Sequence, residues 1–374
     1  MTLAPLLLLL AFQVNVRKVP AASVKPLNPS IAPAIAAKAT EARLAGRLDD
    51  AVTLYREGVK TQPQWAEGWY FLGTLHYERD EPKDCIGAMS QFAKLAPEVS
   101  NGAAILGLCL YQVQDYAGAL SALIQAERLG LPRGEALTDV ASYHAALLYT
   151  KDENFERALK ILNFFANREP LDPKIIEAAG IATLRKGIFP AELPVEDREV
   201  VYRVGRAVLT AANRRTAEAV RQFDSIIQDF PTTPNLHFAY GSLLIGADPT
   251  LAIVILQKEI EVQPNHLPAR VLLAIEYLNR GEPGLAARLG EEAIVLAPSN
   301  FTSHVVLGRA LAESGMDLAR GIHELELAVK LEPTSPQVRI ALASAYAKAG
   351  RVKEAAVERL EFQRLKKLIE DQSR

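Results

Sequence analysis

The stretch HELEL, His323 to Leu327, begins as a zinc-binding helix begins. Such a helix needs two histidines four residues apart, so that both imidazoles leave the same face. Here the second position is Leu327, and one ligand cannot hold a metal. The six histidines (His76, His144, His237, His266, His304 and His323) are scattered along the chain, mostly with no acidic or cysteine neighbour in sequence. They read as surface or partly buried helix residues rather than ligands. No serine sits in a nucleophile elbow, and no glycine loop is built to cradle phosphate. No catalytic, cofactor-binding or metal-binding residue is therefore expected. Asn300 opens a formal glycosylation sequon, NFT, but at a helix start. The two cysteines, Cys85 and Cys109, could pair in an exported protein. Both fall on helical stretches at core-type spacing, and two separate buried thiols are the expectation.

Any site must be carried by helices. Alanine and leucine are abundant, and strand-type runs of Val, Ile and Thr are scarce. A chain of 374 residues exceeds the usual single-core limit, which leaves two domains or an elongated repeat array. The 49% hydrophobic and 23% charged content is that of a folded protein. Lys plus Arg number 42 against 44 Asp plus Glu, so no basic excess points to nucleic acid.

The repeat is visible in the prolines that close apolar helical runs: Pro63, Pro97, Pro132, Pro170, Pro231, Pro264, Pro298 and Pro333. Six of the seven successive intervals lie between 33 and 38 residues, and one is 61. Twelve residues before most of them stands a small side chain, such as Ala51, Cys85, Ala286 or Gly321. Eight before stands a larger one, such as Tyr55, Met89, Leu256 or Leu325. The following helix carries another small residue, such as Gly73, Gly107, Gly241 or Gly308. Small residues on facing helices let two backbones approach, and the large residue a turn away fills the remaining space. Gly46, Gly281, Gly315 and Gly350 fall where two helices must turn sharply, which calls for positive φ.

These residues resemble the tetratricopeptide repeat family. Trp69, Leu72, Gly73, Cys85 and Pro97 carry the best single match, and eight units in near-register cover about Ala32 to Phe362. The resemblance implies an all-α fold, a right-handed α-solenoid of stacked antiparallel helix pairs. It predicts an N-terminal block at 32–187 and a C-terminal block at 200–370. A Pro-containing segment, 188–199, stands between them where a second helix is missing, either as a joint or as a loop insertion in a continuous solenoid. The last helix is expected to cap the array, with Phe362, Leu365 and Leu368 inward. Before the repeats, 1–22 contains a ten-residue apolar run, Leu3 to Phe12, of signal-peptide length, and 23–31 is a flexible lead-in. No basic residue precedes the run, and Arg17 and Lys18 follow it, which weighs against export. The expected location is the exported side of a bacterial membrane, periplasmic or envelope-associated, with the cytoplasm as the alternative.

In the resembled family the first helices of successive repeats line a concave face that binds peptides. Carried over by register, that face takes Tyr70, Thr74, Tyr77, Leu108, Tyr111, Tyr143 and Leu147, then Phe238, Val271 and Ile275. Ala104, Thr150, Val204, Val208 and Leu278 fall on the same stripe. The family's Lys and Asn clamp for a terminal carboxylate is absent. The expected partner is a protein or peptide presenting an apolar segment or amphipathic helix. Nucleic acid is not expected, and membrane contact only through an uncleaved N-terminal run. The function this implies is a non-enzymatic scaffold, or alternatively a recognition subunit of a separately encoded enzyme. Packing alone also accounts for such a Tyr and Leu stripe.

Overall fold

The computed structural model describes residues 34–132 and 134–372. The N-terminal run and lead-in, 1–22 and 23–31, lie outside the described residues. Among the described residues there are nineteen α-helices and no strand, the all-α architecture read from the sequence. No helix among them is long and apolar enough to cross a membrane. The chain divides into two compact units, one ending at Arg198 and the other beginning at Glu199.

In the first unit the pairs are α1 (Ala36–Leu44) with α2 (Leu48–Thr61), α3 (Ala66–Glu78) with α4 (Pro82–Leu95), α5 (Ser100–Gln112) with α6 (Tyr116–Leu129), and α7 (Ala136–Lys151) with α8 (Phe155–Leu162). A ninth helix, α9 (Pro173–Thr183), has no helical partner in the unit's remaining residues. Two 3-10 turns follow it, Pro190–Glu192 and Val195–Asp197. In the second unit α10 (Arg198–Ala212) precedes α11 (Thr216–Asp229). The helix pairs that follow are α12 (Leu236–Leu244) with α13 (Pro249–Val262), α14 (Leu267–Asn279) with α15 (Pro283–Leu296), α16 (Phe301–Ser314) with α17 (Leu318–Leu331), and α18 (Pro336–Lys348) with α19 (Val352–Gln372).

All the spaced prolines but Pro170 stand just past a helix end. α2 stops at Thr61 before Pro63, α4 at Leu95 before Pro97, and α15 at Leu296 before Pro298. Proline cannot supply the next helical N–H, so the chain leaves the helix there and starts the next pair. Within most pairs, the reversal uses one left-handed residue. Gly46, Gly281, Gly315 and Gly350 take φ between +71° and +73°. The same position is filled in other pairs by Asp80, Gln114, Glu153 and Arg214, and after α9 by Arg185, which adopt positive φ without being glycine.

The small-against-large rule governs the interior. A Cβ on Gly73 would stand 2.7 Å from Met89, one on Gly241 2.7 Å from Leu256, and one on Gly107 2.7 Å from Leu123. Backbone meets backbone between α16 and α17. There a Cβ on Gly308 would meet the Gly321 carbonyl oxygen at 2.9 Å and the Leu325 amide nitrogen at 3.0 Å. Backbone cannot rotate away as a side chain does. Gly308→Val is therefore expected to cost about 2 kcal/mol or more by overpacking. Gly87, on α4 with nothing near its virtual Cβ, gives the matched control. Gly87→Ala should stabilise by about 0.5–1 kcal/mol. Chemical denaturation of the two variants checks the pair. A Gly308→Val midpoint equal to wild type would show that the helices separate without cost.

Two expectations need correction. Cys85 and Cys109 are not separate thiols: they form a disulfide between α4 and α5, with Cα atoms 6.3 Å apart and both residues 0% exposed. The second helix of one pair packs against the first helix of the next, and this brings two core positions face to face. In α19, Leu365 is buried and Phe362 half-buried as expected, but Leu368 is 46% exposed.

The second unit contains a buried cap. Glu259 of α13 is 0% exposed, and its carboxylate reaches the start of α12. It accepts the backbone N–H of Asn235 at 2.8 Å and of Phe238 at 3.0 Å, and the Gln263 side-chain amide at 2.5 Å. First-turn N–H groups have no partner inside their own helix, so an acceptor from a neighbour satisfies them. His266 closes the arrangement, accepting the Ala269 N–H at Nδ1 and standing 2.9 Å from Asn235 Oδ1 through Nε2.

Candidate functional site

The face expected to bind lies on the first helices of the pairs. On α3, Tyr70 is only 2% exposed, with its ring centroid 5.2 Å from that of Phe92 and 5.5 Å from that of Phe71. Burial pushes its phenol up to about 12. Thr74 is buried and donates its hydroxyl to the Phe71 carbonyl at 2.8 Å. Leu108 on α5, Leu147 on α7 and Val271 on α14 are buried as well. These five side chains form the seams between neighbouring helices. Ala104, Thr150, Val204 and Leu278 share that environment. Tyr77, Tyr111, Tyr143, Phe238 and Ile275 are half-buried and keep part of their surface open, as does Val208.

In the first unit the structure gathers Tyr111 of α5 and Tyr143 and His144 of α7 into one aromatic cluster. The His144 ring centroid stands 4.7 Å from Tyr111 and 5.4 Å from Tyr143, edge-on to both. Its Nδ1–H donates to the Val140 carbonyl at 2.8 Å, and burial lowers its basicity. Burial also raises the phenols of Tyr77 and Tyr111 to about 12 and that of Tyr143 further, so all three stay neutral hydrogen-bonding rings at physiological pH. Beside the cluster, a small apolar pocket opens among Val140, Tyr143, His144, Phe165, Leu171 and Ile175. Its rim is the Arg168–Asp139 pair, two parallel bonds of 2.6 and 2.7 Å from guanidinium to carboxylate.

Two further rings complete the cluster, and neither was expected on this face. Tyr116, at the start of α6, lies 5.6 Å from Tyr111. Phe189, from the segment after α9, lies 4.9 Å from Tyr116 and 5.9 Å from Tyr111. Nothing in local periodicity points to Phe189, because the segment carrying it follows a different pair. Only its place in a short apolar run just ahead of two prolines, Pro190 and Pro194, marks it as part of a non-helical element that packs.

Most histidines have the partners that sequence neighbours did not reveal. His304 places Nδ1 2.7 Å from Glu324 and Nε2 2.9 Å from the Pro298 carbonyl, and His76 places Nδ1 2.6 Å from Glu81. His76, Glu81 and Asp84 bring three donor atoms within 4.8 Å of one another. Arg79 already holds the other Glu81 oxygen at 2.9 Å and also pairs with Asp49. The group is an ion-pair lattice joining α2 with the turn between α3 and α4. Asn300 accepts from the Ser303 N–H and hydroxyl, which makes it the cap of α16.

Residues 37–84 match the family model described as a tetratricopeptide repeat, and the same helix-pair unit recurs along the described chain. The segment 37–84 thus resembles the tetratricopeptide repeat, and the described chain has the all-α, helix-pair architecture of that repeat. It is 27% identical over 168 residues to the nicotinate-nucleotide–dimethylbenzimidazole phosphoribosyltransferase of Chloroflexus aggregans, a match covering 44% of this chain. The matched part spans about half the length of that curated relative. Among solved structures it is similar to MamA from Desulfovibrio magneticus RS-1, at 20% identity and a TM-score of 0.42, covering 45% of this chain and 96% of that one. It is also similar to MamA MSR-1, at 22% identity and a TM-score of 0.38, covering 45% and 97%.

Proposed function

We propose that this chain is a non-enzymatic scaffold that holds protein partners against the face lined by the first helices of its pairs. The observation carrying this reading is the set of half-buried tyrosines, Tyr77, Tyr111 and Tyr143, each offering ring surface with a polar tip. Tyrosine supplies a large, rigid contact at low entropic cost, which suits an apolar segment or the apolar side of an amphipathic helix. Its expected location is the exported side of a bacterial membrane. The Leu3–Phe12 run and the Cys85–Cys109 bond support this, since disulfides persist mainly in oxidising compartments. A second reading, the recognition arm of a separately encoded enzyme, draws on the partial likeness to a chain named as a phosphoribosyltransferase.

A crosslinked pull-down from the native host, run on wild type and on Tyr77→Ser/Tyr143→Ser, tests the scaffold. Tyr70 is excluded from the variant because it is core. The expected result is a defined set of partners whose capture falls about tenfold in the variant. The melting temperature should move by only about 3 °C. Equal capture by both proteins would remove the site from this face, and copurification of a catalytic chain would select the second reading.

A further inference from the structure

We propose that residues 188–194 are a strap occupying the α5–α7 part of the binding face, and that the partner fitting this site presents an aromatic residue followed three positions later by a carboxylate. This deepens the scaffold reading and rests on it.

The strap stands where α9's second helix would be, yet it packs on residues that lie 38 to 78 positions earlier, from two other helix pairs. The Phe189 ring fills the slot formed over the touching Tyr111 and Tyr116 rings, packing against both, and is only 9% exposed. The Lys151 ammonium, at the end of α7, stands 5.3 Å from the centre of that ring. The same ammonium donates to both carboxylate oxygens of Glu192, at 3.0 and 3.2 Å. Glu192 in turn accepts the Phe189 backbone N–H at 2.7 Å, which fixes the spacing between ring and carboxylate. One slot reads an aromatic side chain, and one cation reads both the ring face and an acid at fixed separation.

That combination is a recognition rule for a short segment, not the broad apolar seam that joins stacked helices. Leu193 adds a buried anchor, while Lys151 and Glu192 are both partly exposed. A competing segment can therefore engage the charged end first. An occupied site also weakens apparent affinity by the fraction of molecules that are open. A partner with the same chemistry binds when it displaces the strap.

The test uses a fluorescently labelled synthetic peptide of residues 187–194, GIFPAELP, titrated by anisotropy against the full chain. Phe189→Ala, which empties the slot, should bind it at least tenfold more tightly than wild type. Adding Lys151→Ala to that variant should reverse the gain. Far-UV circular dichroism shows whether Phe189→Ala is folded. If it is not, Glu192→Gln, which keeps the ring and loosens the charged end, is read for a rise of about threefold. A folded variant that binds no tighter than wild type overturns the strap proposal, as does a gain that survives loss of Lys151. Either failure leaves the pull-down on Tyr77 and Tyr143 standing, so the two readings fall separately.

Discussion

Glu259→Ala should lower the stability of the second unit by about 4 kcal/mol, because it removes a buried acceptor from three donors at once. The backbone N–H groups of Asn235 and Phe238 sit at the start of α12, and the Gln263 amide lies on the same carboxylate. At 0% exposure water cannot take the place of the missing oxygens without opening the packing around them. Each orphaned buried donor costs about 1–3 kcal/mol, and the loss of a buried carboxylate's own desolvation cost offsets part of the sum. Glu259→Gln keeps one acceptor oxygen in place and should cost about half as much. In a repeat array such damage is local, since each pair contacts only its neighbours. Amide exchange is therefore the sharper measurement: protection should vanish along Leu236–Leu244 before it changes in α17 or α18. An alanine variant within about 0.5 kcal/mol of wild type would mean that α12 holds its start by other means.

Breaking the link between Cys85 and Cys109 has the next largest expected effect. The bond closes a loop with a sequence separation of 24 residues. Confining a loop of that size in the unfolded chain is worth about 3 kcal/mol on the chain-entropy account. Cys85→Ala/Cys109→Ala leaves small apolar side chains in a fully buried site, so little packing is lost and the cost reports mainly the cross-link. The denaturation midpoint of the double variant should fall accordingly. Wild type treated with reductant under unfolding conditions should fall to meet it. Both sulfurs are shielded in the folded chain, so labelling must be done after unfolding. Two reactive thiols per chain in unreduced, unfolded protein would show that the bond had not formed.

Much of the fold was legible because the repeat is a packing rule written at fixed intervals. Gly73 against Met89, Gly241 against Leu256 and Gly308 against Leu325 are contacts within one pair or its immediate continuation, and spacing alone reaches them. The left-handed turns were legible only where glycine filled them. Asp80, Gln114, Glu153, Arg185 and Arg214 take the same conformation but give no compositional signal. The disulfide joins two pairs, so it depends on how closely α5 packs against α4, which periodicity does not encode.

For the candidate face, helix and register were legible in the sequence but depth was not. Register places Tyr70, Thr74, Leu108, Leu147 and Val271 on the first helices of their pairs, but it does not tell a buried seam from an open face, and these five are buried. Tyr77, Tyr111 and Tyr143 keep part of their surface open. Phe189 was out of reach altogether. Its position depends on a fold-back across tens of residues that no local pattern records.

The α4–α5 bond also bears on what happens when the chain is pulled. A helix pair that yields under tension normally pays out its full extended length, roughly 3.4 Å for every residue released. Between Cys85 and Cys109 the covalent path is short-circuited, with only 6.3 Å between their Cα atoms. About 80 Å of contour is withheld at that point, however far the neighbouring helices unravel. The second half of one repeat and the first half of the next thus form an inextensible node in an otherwise elastic array.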